Sequence, residues 1–131
     1  IRICRSYGAV GDIAEAPAEA YEAARSLLAE RPRPTAIFAT CDIFAAGVLQ
    51  AVYEAGLRVP ADVSVIGFDN TYAPYLAPQL TTVAQPMLDI GRTAARIVVQ
   101  ILQEEEPPPS LRTEVLSTRL VVRASTGPSP R

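Results

Sequence analysis

Two aspartates follow two short apolar segments of the sequence. Asp42 comes three residues after the segment 35–39 (TAIFA), and Asp69 comes two residues after the segment 63–67 (VSVIG). Ligands of parallel α/β folds bind at the carboxyl ends of the strands, so we expect both carboxylates to face one cleft. Paired carboxylates of this kind are able to hold a metal ion or to act in general acid–base catalysis.

Each aspartate also has a simpler interpretation. Asp42 precedes a helical pattern, and a carboxylate at a helix N-cap accepts backbone N–H bonds at the positive end of the helix. We therefore favour capping for Asp42. Asp69 precedes no evident helix, so for this residue we favour a ligand contact over a turn-forming role.

The other candidate groups carry weaker signals. Cys41 is a candidate thiol at a helix N-terminus, but the adjacent Asp42 opposes a thiolate and the chain has no histidine. Gly8 and Gly11 lack the third glycine of a dinucleotide fingerprint and the Lys-Ser/Thr end of a Walker loop. We therefore predict no catalytic residue, metal site or cofactor, and a protein that is not an enzyme.

Composition limits the class of protein further. The 131 residues are 49% hydrophobic and 20% charged, which is typical of one globular domain or a large part of one. Twelve basic against fourteen acidic residues leave no basic stripe for nucleic acid, and no apolar run is long enough to cross a bilayer. Cys4 and Cys41 are too few for a disulfide scaffold, and we expect two unbridged thiols in a reducing cytosol.

Short apolar segments alternate with helical patterns, which predicts an α/β fold with a mostly parallel sheet between layers of helices. Helices are predicted at 17–30, 42–56 and 86–103, and strands within 1–13 and at 35–39, 63–67, 80–84 and 115–123. Tyr21, Ala24 and Leu28 share one face of the first helix. The nearly continuous apolar run at 35–39 indicates a strand that is covered on both faces. Gly56 is the predicted left-handed stop of the second helix.

Three stretches are much more specific than these patterns. The first is RPTAIFA (33–39), which leads to Asp42, AAG (45–47) and GLRVP (56–60); the second is DVSVIGFDN (62–70). The third is PQLTTVAQP (78–86), followed by LVVRAST (120–126). Together they resemble the C-terminal half of the lactose/galactose-repressor (LacI/GalR) family of bacterial transcription regulators, over about residues 11–126.

The resemblance implies a periplasmic-binding-protein-like core of two lobes behind an N-terminal helix-turn-helix, with the second lobe in this chain. It assigns residues 1–85 to the C-terminal lobe and 86–103 to a helix that crosses to the first lobe. Residues 104–111 are then a linker, 112–126 the returning strand or strands, and 127–131 a loose tail.

The resemblance also implies a binding site for a small metabolite, a sugar or a nucleobase-like compound, in the cleft between the lobes. The residues expected to line it are Asp69, Cys41, Asp42, Asn70 and Ile13. Cys41 stands where many sugar-responsive members have asparagine, and a thiol is a weaker donor than an amide. Ile13 stands where an aromatic side chain often stacks on the effector.

A homodimer is the second implication, through the helix after Asp42 and the loop before LTTV. The expected interface residues are Ala46, Leu49, Gln50, Tyr72, Tyr75 and Leu76, although Tyr75 and Leu76 have the alternative of simply covering the sheet edge. Operator DNA would be bound only by the helix-turn-helix, in the cytoplasm and not at a membrane. A periplasmic sugar-binding protein of a transporter is the alternative with the same fold.

Overall fold

The computed structural model describes residues 16–103 and 113–129 of the chain. This part contains three helices and four short strands, with a 3₁₀ turn at Ala73–Tyr75 between the second and third strands. In chain order these are α1 (Ala16–Ala29), β1 (Ala36–Phe38), α2 (Asp42–Glu54), β2 (Ser64–Asp69), β3 (Thr81–Ala84), α3 (Met87–Gln103) and β4 (Arg119–Val121). The predicted strand within 1–13 and the linker 104–111 lie outside the described residues.

The sheet has the strand order β1-β2-β3-β4. Strands β1 and β2 are parallel, with Ile37 opposite Val65, and β2 and β3 are parallel, with Gly67 opposite Thr82. This confirms the predicted mostly parallel sheet. Strand β4 is shorter than the predicted 115–123, because residues 113–118 have no regular secondary structure.

The core lies on one face of the sheet, under α1 and α2. Ala24 and Leu28 are buried as the spacing of α1 predicts, and Tyr21 packs at the margin of the same cluster. The other core residues are Ala45, Val48, Leu49, Ala51 and Val52 of α2, and Ile37, Ala39, Val63, Val65, Ala73 and Leu80 of the strands and loops. Because burial of such side chains is the main stabilising contribution to a fold, this layer holds the strand ends in place.

The prediction that β1 is covered on both faces is wrong. Ile37 is buried, but Ala36 is exposed and Phe38 is 57% exposed. The physical reason is that α1 and α2 both contribute to the core on the face that carries Ile37, and successive side chains of a strand point to opposite faces.

Helix α2 ends at the glycine that the sequence indicates. Gly56 has a φ of 70°, its N–H donates to the carbonyl of Tyr53 over 3.0 Å, and the next N–H, of Leu57, donates to the carbonyl of Val52 over 3.1 Å. Glycine adopts this left-handed conformation without steric strain. The chain therefore leaves α2 at a fixed angle before it enters β2.

The chain divides into two compact units. One contains the described residues up to Ala84 together with those from Leu120 onward, and the other is Gln85–Arg119. The second unit contains α3 and an ion pair between Arg96 and Glu114. The domain boundaries from the sequence stay a prediction. Within the described ranges no helix is both long and apolar enough to span a membrane.

Candidate functional site

The carboxyl ends of three neighbouring strands form the edge at which the sequence places the site. Cys41 follows β1, Asp69 is the last residue of β2, and Asp69 lies opposite Ala84, the last residue of β3. The backbone N–H of Ala39 continues the ladder by donating to the carbonyl of Ile66 over 2.8 Å. The predicted convergence of the ends of β1 and β2 at one edge therefore holds.

Asp69 forms a turn and also keeps an open acceptor. Its Oδ1 accepts hydrogen bonds from the N–H of Thr71 (3.0 Å) and from the hydroxyl of Thr71 (2.6 Å). Its Oδ2 accepts no hydrogen bond from the described residues, and the side chain is half-buried. The turn-forming role and the ligand-binding role that the sequence left as alternatives are thus compatible, because they use different oxygen atoms.

Asp69 and Asn70 form a corner at the end of β2, and both have the same unusual backbone conformation. Asp69 has a φ of 94° and Asn70 a φ of 63°, a region that asparagine and aspartate tolerate better than other side chains. The Oδ1 of Asn70 accepts a hydrogen bond from Nη2 of Arg123 over 2.7 Å, and its Nδ2 donates to none of the described residues. The corner therefore carries an open acceptor on one residue and an open donor on the next.

Arg123 is a site residue that the sequence reasoning missed. Besides its bond to Asn70, Nη1 donates to the carbonyl of Leu80 over 2.8 Å, and the backbone N–H donates to the hydroxyl of Thr81 over 2.8 Å. The only sequence signal was its place in the LVVRAST stretch. Nothing in spacing alone connects residue 123 with residue 70, since they are 53 positions apart.

Asp42 supports the edge from inside the protein. Its side chain is fully buried, its Oδ2 accepts from the N–H groups of Tyr72 (3.1 Å) and Ala73 (3.0 Å), and its Oδ1 accepts from the hydroxyl of Thr82 (2.7 Å). The capping prediction is corrected by one residue, because Cys41 occupies the N-cap and Asp42 is the first residue of the helix. The reason is that the carboxylate of Asp42 accepts hydrogen bonds from amides of the loop after β2 and not from those of its own helix. Cys41, at the N-cap, makes no side-chain capping bond.

Gly67 is required by the position of Asp42. A Cβ atom at Gly67 would lie 2.6 Å from Oδ1 of Asp42 and 2.6 Å from Cδ2 of Leu80. Both distances are shorter than real Cβ contacts, so any side chain here would displace the buried carboxylate. The glycine of the GFDN stretch therefore belongs to the support of the site.

Of the remaining predicted site residues and cysteines, only Cys41 lies within the described part of the chain. Cys41 is half-buried at the edge and is a free thiol, whereas Cys4 and Ile13 lie outside the described residues. That Cys4 is unbridged as well stays a prediction. Residues 16–103 and 113–129 bring no three His, Cys, Asp or Glu side chains together in a way that would hold a metal ion.

A separate groove lies between α2 and the loop that follows the 3₁₀ turn. It encloses about 270 Å³ and is lined by Ala46, Leu49, Gln50, Tyr53, Leu76 and Ala77. Four of the six predicted interface residues are in this lining; Tyr72 and Tyr75 are not, and they are 53% and 84% exposed. Tyr53, which also lines the groove, is 81% exposed.

One wall of this groove is held by a polar contact between the two helices. The hydroxyl of Tyr21 donates to Oε2 of Glu54, and the side-chain amide of Gln50 donates to Oε1 of Glu54 over 2.9 Å. The bond from Tyr21 holds the pKa of Glu54 below its ordinary value, and the bond to Glu54 holds the pKa of Tyr21 above its own. Both shifts favour the state in which Tyr21 is neutral and Glu54 is ionised.

Comparison with known proteins identifies the fold. The family of periplasmic binding protein-like domains matches residues 4–126. The chain belongs to this family. The predicted resemblance to the LacI/GalR family is confirmed as well, by the HTH-type transcriptional repressor PurR of Escherichia fergusonii, which is 42% identical over 116 residues. This match covers 87% of the chain and 33% of the repressor, so the chain spans about a third of the length of that relative.

Solved structures of LacI family regulators have the same fold. A regulator from Arthrobacter sp. FB24, in complex with lactose, is 40% identical with a TM-score of 0.76, and the match covers 85% of this chain and 42% of that one. A regulator from Enterococcus faecium with bound ribose is 34% identical with a TM-score of 0.75, over 86% of this chain and 41% of that one. The chain is thus part of a LacI-type effector-binding core.

Proposed function

We propose that the chain is the effector-sensing and dimerisation part of a bacterial LacI-type transcription regulator. In the whole regulator it would bind a small metabolite in the cleft between two lobes and so modulate operator binding by an N-terminal helix-turn-helix. The observation that carries the proposal is the corner at the end of β2, where Oδ2 of Asp69 and Nδ2 of Asn70 have no hydrogen-bond partner among the described residues. The 42% sequence identity with a transcriptional repressor supports the regulatory role.

A sugar or a nucleobase-like compound is the effector class that suits this corner. A carboxylate oxygen accepts hydrogen bonds from hydroxyl or ring N–H groups, and bonds to a charged acceptor are about twice as strong as neutral ones. Similar regulators hold lactose and ribose. Because the thiol of Cys41 is a weak donor, the polar contacts of the effector fall mainly on Asp69 and Asn70. Ile13 completes the set as an apolar contact.

Asp42 is among the effector contacts expected from the sequence; in this proposal it acts through the corner instead, because its side chain is fully buried. Its two oxygen atoms are occupied by Tyr72, Ala73 and Thr82. The bonds to Tyr72 and Ala73 fix the loop that begins at Asn70. Asp42 is therefore a positioning residue of the binding site.

The groove along α2 is the proposed contact between two copies of the chain. It combines small apolar side chains (Ala46, Ala77) with a leucine and an exposed tyrosine, Tyr53, and aromatic residues are enriched in protein interfaces. The exposed Tyr72 and Tyr75 lie on the loop beside it and would extend the contact. A specific two-fold interface needs about 1,000 Å² of total buried area.

The experiment that tests the proposed function is a calorimetric titration of the whole regulator, in which both lobes are present, with ribose, lactose, cellobiose, adenine and guanine. We expect saturable binding of at least one of these compounds at one site per chain. A protein that binds none of them, but whose amide exchange shows an intact fold, would contradict the proposed effector class. Turnover of a bound compound would instead indicate an enzyme.

A further inference from the structure

We propose that Arg123 sets the specificity of the corner by fixing the orientation of the side-chain amide of Asn70. In that orientation Asn70 offers a donor, Nδ2, beside the acceptor Oδ2 of Asp69. The inference rests on the proposed function, since it assumes that this corner meets an effector. Arg123 lies in the stretch 120–126, far along the chain from the corner. In this proposal it determines which hydrogen-bonding groups the effector encounters.

The chemistry of the two side chains dictates the orientation. A guanidinium group donates hydrogen bonds and accepts none, so only the oxygen of an asparagine amide is able to face it. The structure has this arrangement, with Nη2 of Arg123 2.7 Å from Oδ1 of Asn70. The Nδ2 group, which carries two donor hydrogens, is thereby turned away from Arg123 and stays open among the described residues.

Arg123 is itself held by buried groups. Its Nη1 donates to the carbonyl of Leu80, and its backbone N–H donates to the hydroxyl of Thr81; Leu80 is fully buried and Thr81 is 2% exposed. The two terminal nitrogens of the planar guanidinium therefore donate at the same time, one to Leu80 and the other to Asn70. A lysine, with a single ammonium group, would not reproduce this fork.

The backbone on both sides of Arg123 is also fixed. Ser125 is fully buried, its hydroxyl donates to the carbonyl of Val65 over 2.6 Å, and the same oxygen accepts from the N–H of Thr81 over 2.8 Å. The N–H of Ala124 donates to the carbonyl of Gln79 over 3.1 Å. Arg123 thus extends from a segment that is attached to both β2 and β3, which makes it a rigid support for Asn70.

The result is a corner that presents one acceptor and one donor on consecutive residues. Two groups on adjacent atoms of a ligand match this pair, namely the vicinal hydroxyls of a sugar or the N–H and carbonyl edge of a nucleobase. A compound that offers only acceptors, such as a dicarboxylate, does not match Oδ2 of Asp69. Without Arg123 the amide of Asn70 would be free to rotate and the donor would no longer be fixed.

The test compares three variants of the protein. In Asn70→Asp an oxygen is still available to Arg123, but the donor becomes an acceptor. In Arg123→Met the guanidinium is lost, while the backbone N–H to Thr81 remains. The matched control is Arg92→Met, which removes an exposed arginine of α3 whose partner is Asp89.

Hydrogen–deuterium exchange of a peptide that covers residues 70–77 is the readout that needs no ligand. We expect Arg123→Met to raise exchange at Thr71 about tenfold, because a bond to a charged donor is lost, whereas Asn70→Asp and the control should exchange as the wild type does. Unchanged exchange in Arg123→Met would overturn the positioning role.

Affinity for ribose and lactose, whichever the wild type binds, is the second readout. We expect Asn70→Asp to bind about tenfold more weakly although its corner is as protected as in the wild type, because the donor of residue 70 has become an acceptor. Full affinity in Asn70→Asp would overturn the donor assignment. If the wild type bound neither sugar, the proposed effector class would be in error, while the exchange result would still decide whether Arg123 fixes Asn70.

Discussion

The hydroxyl of Thr82 donates a hydrogen bond to Oδ1 of Asp42 over 2.7 Å, in the buried layer between β3 and the start of α2. The other oxygen of the same carboxylate accepts from the amides of Tyr72 and Ala73. One side chain therefore connects a helix, a strand and the loop that begins at the binding corner. The corner is held from the core side by Asp42 and from the returning segment by Arg123.

Replacement of Asp42 by alanine should lower the stability of the protein substantially. The change leaves two backbone N–H groups and the hydroxyl of Thr82 without their acceptor, and we expect a loss of about 3 kcal/mol in the free energy of unfolding. Urea denaturation measures this loss. The control is Asp89→Ala, which removes an exposed carboxylate of α3; equal stability of the two variants would show that the buried bonds contribute little.

The sequence predicted the order of the elements well because that order depends on local signals. The apolar run before Cys41, the spacing of Tyr21, Ala24 and Leu28, and the stop at Gly56 are each contained within a few residues. The structure confirms the elements that these signals define.

The parts of the site that the sequence did not predict depend on contacts between distant segments. Asp42 has the residue type of an N-cap, and only the position of the loop after β2 shows that its acceptor atoms are used elsewhere. Arg123 has no local pattern that connects it with Asn70. The exposure of Phe38 likewise depends on which face of the sheet α1 and α2 occupy, and a short apolar run does not encode that face.

The contact between Tyr21 and Glu54 should make stability depend on pH at the acid end. Because the pKa of Glu54 is lowered from its ordinary value of 4.5, its contribution is present above that value and is lost as the pH falls through the pKa of the folded state. Thermal unfolding of the wild type and of Tyr21→Phe, from about pH 7 to about pH 3, should show a difference that shrinks with acidification. Tyr53→Phe is the control, since it removes a hydroxyl from an exposed side chain; a difference for Tyr21→Phe that stays constant over this range would contradict the assignment.

The groove along α2 should control self-association. A charge at Ala46, which lies in the lining, would have to be desolvated in a dimer contact, so Ala46→Glu should shift the protein towards the 14.0 kDa chain. Sedimentation at tens of micromolar measures the shift. Ala55→Glu, at the exposed end of α2 and outside the groove, should associate as the wild type does; a wild type that sediments as a monomer would refute the dimer proposal.

The 131-residue chain by itself should have no meaningful affinity for DNA. Its formal net charge is −2, and binding to a duplex depends on basic side chains that release counterions from phosphate. A gel-shift experiment at low salt should show no complex at micromolar protein. Sub-micromolar binding to any duplex would mean that DNA contacts are not confined to the helix-turn-helix of the whole regulator.

Calorimetry of Asp69→Asn is the measurement that tests the proposed effector site most directly. Asparagine keeps an Oδ1 atom for the two bonds from Thr71 and tolerates the left-handed backbone, so the turn is retained and only the open Oδ2 acceptor is replaced. With the sugar or purine that the wild type binds, affinity should fall at least about tenfold, as expected for loss of a charge-assisted bond, while Asp62→Asn, on the loop that enters β2, should bind normally. Equal affinity of the wild type and Asp69→Asn would contradict the assignment of this corner as the effector site.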